Sequence, residues 1–126
     1  MAEKLMTKMK TDLCTARRVT TTTDIWSAKL GINSFLGLTA HFVNSKERRR
    51  QSLKIGSSIF FFQNILIFND FLLACRRFDG AHTGLTIASK LYEILREYGL
   101  ENKTFSCITD SASNMIKGSK TLYFMI

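Results

Sequence analysis

Residues 21 to 43, "TTTDIWSAKLGINSFLGLTAHFV", carry the strongest indication of the fold. Its β-branched start favours a strand that ends near Asp24, and "SAKLGIN" is typical of a turn. The second half alternates, with Leu36, Leu38, Ala40 and Phe42 on one side and Phe35, Gly37, Thr39, His41 and Val43 on the other. Because the connection is short, the sequence predicts an antiparallel hairpin.

Outward from the hairpin, the clearest helix is "GAHTGLTIASKLYEILREYGL", residues 80 to 100. Thr83 can cap its start, and Gly99 with Leu100 fits a left-handed stop of the Schellman type. One apolar stripe runs along it, formed by Ile87, Ala88, Leu91, Ile94, Leu95 and Tyr98. A second, shorter amphipathic helix is predicted over residues 1 to 16, with Leu5, Met6, Met9 and Leu13 at helical spacing.

A further strand, "TFSCITD", ends in Asp110 and precedes "SASNMIKG", where Ser111 or Ser113 can cap another helix. With "FLLACRRF" before the long helix, this makes a strand, helix, strand unit, which is a right-handed crossover whether its strands are adjacent or skip a position. The predicted class is therefore α/β with a mixed sheet.

Composition sets the outer limits of function. The chain has 126 residues, room for one compact core, and a formal charge of +8, which favours an acidic partner such as nucleic acid. Cys14, Cys75 and Cys107 are widely spaced, so we expect neither a zinc site nor a disulfide framework, but thiols in a reducing compartment. The start of the chain lacks a secretory signal, which also indicates an intracellular protein.

Residues 45–71 do not fit the pattern around them. The basic run "NSKERRRQSLK" is followed by the apolar run "SSIFFFQNILIFNDFLLAC". Gln63, Asn64, Asn69 and Asp70 interrupt the apolar run, and a charge in a bilayer costs at least ~2.5 kcal/mol, so a membrane helix is not expected. A buried strand, or a segment foreign to the fold, is the alternative interpretation.

Asp24 and Asp110 each follow a β-rich run. If their strands are parallel neighbours, the carboxylates converge at one end of the sheet, where α/β folds place their sites. Converging carboxylates supply the oxygen ligands that Mg²⁺ or Mn²⁺ prefers, and a metal pair can assist phosphodiester cleavage. The alternative is that each aspartate forms a turn or caps a helix.

Four ordered segments resemble one known family: "TTDIWS", "SFLGLTAHFV", "LLACRRFDGAHTGLTIASKLYEILREYGL" and "FSCITDSASNMIKG". Together, about two thirds of the chain is similar to the catalytic core of hAT-superfamily DNA transposases, of the animal group related to BED-type zinc-finger proteins. The resemblance implies an RNase H-like fold, in which an antiparallel meander, a helix and a strand parallel to the first bring acids together. It also implies a nuclear protein that acts on DNA.

The resemblance assigns roles by position. It implies that Asp24 is the first acid of the family's DDE triad, with Asp110 the second and Mg²⁺ or Mn²⁺ the cofactor. Position 111 is Ser where the family motif "TDNASNM" has Asn. Trp26, His82, Thr83 and Asn114 also match motif positions. For Trp26 we expect a packing role, and for Asn114 a local hydrogen bond.

Departures from the family predict a loss of activity. The family's third acid is a glutamate far downstream, beyond a helical insertion, whereas this chain ends at Ile126 and its Glu93, Glu97 and Glu101 precede Asp110. We expect residues 1–126 to form a single, incomplete RNase H-like domain with an atypical insertion at 45–71. Without the third acid, metal binding is expected to be weak and transposition inefficient. No zinc is expected, because a BED finger pattern is missing.

Two other functions compete with a transposase-derived role. A retained nucleic-acid-binding or protein-interaction module would use a basic cluster formed by Lys46, Arg48, Arg49, Arg50 and Lys54. A solvated loop is the simpler interpretation of that cluster, because no aromatic residue is interleaved with it. An incomplete fold would leave an uncovered face or edge, which favours self-association. A small-molecule enzyme has no support, since glycine-rich phosphate loops and nucleophile elbows are missing.

Overall fold

A computed structural model describes residues 1–27, 33–46, 53–55, 58–60 and 65–126, with side chains described outside 44–68. The described residues form three helices: α1 (Ala2–Thr15), α2 (Gly84–Glu97) and α3 (Ser113–Met125). The strands are β1 (Val19–Ser27), β2 (Ser34–Lys46), β3 (Leu53–Ile55), β4 (Ser58–Phe60), β5 (Ile65–Arg77) and β6 (Thr104–Ile108). The predicted turn at "SAKLGIN" lies largely outside the described residues.

Four strands form a mixed sheet in the order β5-β2-β1-β6, and β3 pairs with β4 in a small separate hairpin. Strand β1 is antiparallel to β2 and parallel to β6, while β2 is antiparallel to β5. The α/β class, the hairpin and the strand parallel to the first are confirmed. Because β5 and β6 occupy opposite edges, the crossover through α2 passes over two strands.

One face of this sheet, the inner face, packs against the helices. Alternate β2 residues Leu36, Leu38, Ala40 and Phe42 are buried there, as the sequence pattern predicts. Val19 and Thr21 of β1 are also buried, and the Thr21 hydroxyl donates to the Ser106 carbonyl at 3.3 Å, so its burial leaves no polar group unpaired.

Helix α2 has the ends that its sequence predicts. The Thr83 hydroxyl accepts a hydrogen bond from the Thr86 amide at 3.2 Å, and Gly99 adopts a left-handed φ of 66°. The Leu100 amide donates to the Leu95 carbonyl at 2.8 Å, which closes the Schellman motif. The predicted stripe from Ile87 to Leu95 is buried.

Helices α2 and α3 touch at two glycines. A Cβ added to Gly84 would lie 2.7 Å from the Lys117 Cβ, and a Cβ added to Gly118 would lie 2.7 Å from Ile87 Cγ2. No larger residue fits at either position without movement of the helices. Since α3 follows β6, this contact also fixes where the chain leaves the sheet.

Three sequence expectations need correction. Strand β1 does not end near Asp24 but continues to Ser27, because β2 supplies pairing partners as far as Ser34. Neither Ser111 nor Ser113 caps α3, whose N-cap is Ala112 without a side-chain bond. The apolar stripe of α1 is only partly used: Leu13 is buried, whereas Leu5 is 63% exposed.

Residues 65–71 of the unusual segment extend β5 and pair in register with residues 40–46 of β2. Within the part of the chain that the structure describes, no helix is long and apolar enough to cross a membrane.

Candidate functional site

The parallel pairing of β1 with β6 brings the two candidate acids to neighbouring strands. The last paired residues are Thr22 and Ile108. Asp24 and Asp110 each lie two residues further along, so the chain direction carries both toward the same end of the sheet. The parallel-neighbour condition on which the sequence argument rested is therefore met.

Asp24 lies inside β1, opposite Gly37 of β2, and its side chain is exposed. Its Oδ1 accepts a hydrogen bond from the Ile25 amide at 2.9 Å. Trp26, on the same side of the strand, stacks on Phe35 with ring centroids 6.1 Å apart and lies over Gly37. The packing role predicted for Trp26 agrees with these contacts, although the side chain stays 43% exposed.

Asp110 follows β6 and is also exposed. Its Oδ1 accepts a hydrogen bond from the amide of Ala112, the N-cap residue of α3, at 3.0 Å. Asp110 lines a cleft of about 200 Å³ between the end of β1 and the starts of α2 and α3. The other lining residues are Ile25, Ser27, His82, Ile87, Ala112, Asn114 and Met115.

Asn114 is in the first turn of α3 and is exposed to this cleft. The local hydrogen bond expected from its side chain is not formed with any residue that the structure describes. Asn114 lines the cleft because α3, which begins at Ser113, starts beside it. Sequence spacing could not show this, since it depends on how α3 leaves the sheet.

The donor atoms suit a hard divalent cation. Each aspartate has one oxygen held by a backbone amide and a second oxygen without a bond to the described residues, and carboxylate oxygens are the usual ligands of Mg²⁺ and Mn²⁺. Among the described side chains, however, no group of three or more His, Cys, Asp or Glu residues converges. Asp110 lines the cleft, whereas Asp24 is not among the residues that line it.

A polar chain on the outer, helix-free face of the sheet was missed by sequence reasoning. The His41 Nδ1 lies 2.6 Å from the Asp70 carboxylate, and its Nε2 lies 2.8 Å from the Thr22 hydroxyl. His41 and Asp70 are direct partners in the β2–β5 register. The interpretation of 45–71 as an insertion left Asp70 without a strand partner, which hid this pairing.

The basic cluster and the cysteines are the other residues that the sequence analysis considered. The side chains of the basic cluster, Lys46, Arg48, Arg49, Arg50 and Lys54, lie outside the described residues. All three thiols are free: those of Cys14 and Cys75 are exposed, and that of Cys107 is buried. Burial raises the pKa of the Cys107 thiol, so that residue stays protonated at neutral pH.

Comparison with known proteins supports the resemblance seen in the sequence. A search of curated proteins found no match. A family model described as the ZBED1 RNase-like domain matches residues 22–124, which includes most of β1, both candidate aspartates, α2 and most of α3. This match covers most of the chain. The chain belongs to the ZBED1 RNase-like domain family.

Proposed function

We propose that this transposase-derived RNase H-like domain binds a divalent cation weakly through Asp24 and Asp110 and does not cut DNA efficiently with these two acids. The observation that carries the proposal is the pairing of β1 with β6, which directs both acids to one end of the sheet. The proposed lack of efficient cutting rests on a second observation, that the described residues contain no converging group of three ligands.

In a two-metal phosphoryl transfer, the metals activate the attacking oxygen and stabilise the leaving one. The residues of this chain would hold Mg²⁺ or Mn²⁺ through the free carboxylate oxygens of Asp24 and Asp110. A carboxylate missing from such a site removes both charge and a coordinating atom, and a displacement of about 1 Å can cost ~100-fold in rate. Weak metal retention with little cleavage is the consequence.

Cleavage of labelled DNA in Mn²⁺ tests this proposal. We expect the product formed by the chain to equal that of Asp24→Ala, and a Glu3→Gln variant on the exposed start of α1 serves as the matched acid control. Robust cutting that disappears in Asp24→Ala, but not in Glu3→Gln, would contradict the proposed inactivity.

Metal retention is measured separately by titration of the intact chain with Mn²⁺. We expect weak binding that falls further in both Asp24→Asn and Asp110→Asn, because each variant removes charge but keeps the side-chain volume. Equal binding by the chain and both variants would show that the two acids are not ligands.

A further inference from the structure

His82 is held in the orientation typical of a metal ligand. Its Nε2 lies 3.2 Å from the Phe78 carbonyl oxygen, and its ring stacks on the Phe78 ring with centroids 4.9 Å apart. A carbonyl can only accept, so Nε2 carries the hydrogen and Nδ1 of the neutral ring has a lone pair. Metal-binding histidines commonly donate their other ring N–H to a backbone carbonyl in this way.

The lone pair of His82 is accessible. Nδ1 forms no hydrogen bond with the described residues. Glu101 Oε2 is the only buried side-chain nitrogen or oxygen atom without a partner in the described part of the chain, so His82 Nδ1 is not sealed in the interior. Since His82 also lines the cleft, that nitrogen can meet a ligand there.

Two further donors line the same cleft of about 200 Å³. One oxygen of Asp110 is unused after the bond to the Ala112 amide, and the Asn114 side chain has no bond to the described residues. Asp110 and Asn114 flank the N-terminus of α3, whereas His82 directly precedes the Thr83 cap of α2. The close α2–α3 contact at Gly118 keeps these two helix starts together.

We propose that the cleft binds a divalent transition metal through Asp110 and His82, with Asn114 as an additional oxygen ligand. This inference rests on the proposed function for Asp110 but adds a nitrogen ligand, and with it a metal preference. A nitrogen ligand favours first-row transition metals, with affinity rising from Mn²⁺ to Co²⁺, whereas carboxylate and carbonyl oxygens suit Mg²⁺ as well as Mn²⁺. The site therefore binds Co²⁺ more tightly than Mn²⁺, and the imidazole contributes more to the binding of either ion than to that of Mg²⁺.

The second histidine of the chain is a built-in control. Both ring nitrogens of His41 are occupied, Nδ1 by Asp70 and Nε2 by Thr22. His41 lies on the outer face of the sheet and does not line the cleft. A metal that binds at the cleft should therefore affect one histidine ring and spare the other.

The test follows the imidazole C–H signals of the intact chain by NMR during titration with Mn²⁺, a paramagnetic ion that broadens nearby resonances. We expect the His82 signals, assigned with His82→Gln, to broaden at substoichiometric Mn²⁺ while the His41 signals persist. In His82→Gln, Mn²⁺ affinity should fall by about tenfold or more, because even the loss of a ligand's hydrogen-bonding partner costs about that much. Mg²⁺ affinity should change far less.

The outcomes separate the two proposals. If Asp110→Asn abolishes Mn²⁺ binding while His82→Gln leaves it unchanged, the aspartate is a ligand and the inference about His82 is wrong. If neither variant alters Mn²⁺ binding, both the inference and the metal-binding part of the proposed function are wrong. Unchanged cooperative melting of each variant shows that lost binding is not lost folding.

Discussion

The two faces of the four-stranded sheet have the same alternating backbone but different roles. On the inner face, Leu36 and Leu38 are fully buried, whereas on the outer face Leu72 is 62% and Ile108 is 55% exposed. The outer face also carries the polar chain from Thr22 through His41 to Asp70. Alternation divides the apolar residues between the two faces, and the helices that cover the inner face determine which of them are buried.

We expect the greatest loss of stability from a substitution at one of two leucines in the sheet, Leu38 rather than Leu72. Leu38→Ala on the inner face should lower the free energy of unfolding by about 2–5 kcal/mol, because it leaves a cavity in the core. Leu72→Ala on the outer face should change it by no more than about 0.5 kcal/mol. Chemical denaturation of both variants measures the difference; similar losses would mean that the outer face is covered.

A smaller loss of stability is expected from a substitution where α3 packs against α2 on the inner face. In Gly118→Ala the new Cβ would lie 2.7 Å from Ile87 Cγ2, and such overpacking costs about 1–3 kcal/mol. Lys120→Ala, an exposed position on the same helix, is the matched control. If thermal melting of the two variants is equally unaffected, the helices do not pack as closely as the structure has them.

The N-terminal cap of α2 should contribute still less to the free energy of unfolding. Thr83→Ala removes the acceptor of the Thr86 amide, which typically costs about 1 kcal/mol. In Thr11→Ala on α1 the lost hydroxyl only donates to the Thr7 carbonyl, so we expect little change. Denaturation midpoints compare the two, and a Thr83→Ala variant as stable as Thr11→Ala would count against the cap.

The smallest effect concerns ion pairs on the two faces. The Arg76 guanidinium, hydrogen-bonded to Glu97 of α2, lowers the pKa of that carboxyl. The pair therefore stabilises the fold above the ordinary glutamate range, and this contribution is lost as pH falls through the lowered pKa. On the outer face, Arg77 pairs with Asp79 only two residues away.

Melting temperatures at pH 7 and pH 3 test this contrast. We expect Glu97→Gln to have a smaller drop between the two pH values than the unmodified chain, because it has already lost the pair between helix and sheet. Asp79→Asn should keep nearly the full drop. If Glu97→Gln keeps it as well, the inner pair does not contribute to pH-dependent stability.

Much of the fold could be predicted from local patterns. The alternation of β2 and the apolar stripe of α2 are periodic, and the ends of α2 depend on Thr83 and Gly99, whose effects are local. The extent of β1 could not be predicted, because pairing partners on β2, rather than its own residues, carry it past Asp24.

The residues of the candidate site also fall into those that the sequence could identify and those that required the structure. Asp24 and Asp110 could be identified from the sequence, since each follows a β-rich run within a recognisable motif. His82 matches a motif position, but the sequence could not assign it the metal-binding role proposed above. That proposal depends on the contact between its ring and the Phe78 carbonyl, which only the structure shows. The contact between His41 and Asp70 could not be predicted without the register of β2 with β5.

Local sequence was enough to predict the main helices and strands, the class of the fold and the family, because periodicity and motif order are properties of the chain. Three features required the folded chain: one covered sheet face, β1 and β6 as parallel neighbours, and a cleft that His82 shares with Asp110. These last features depend on contacts between residues far apart in the chain, and no local preference encodes such distances.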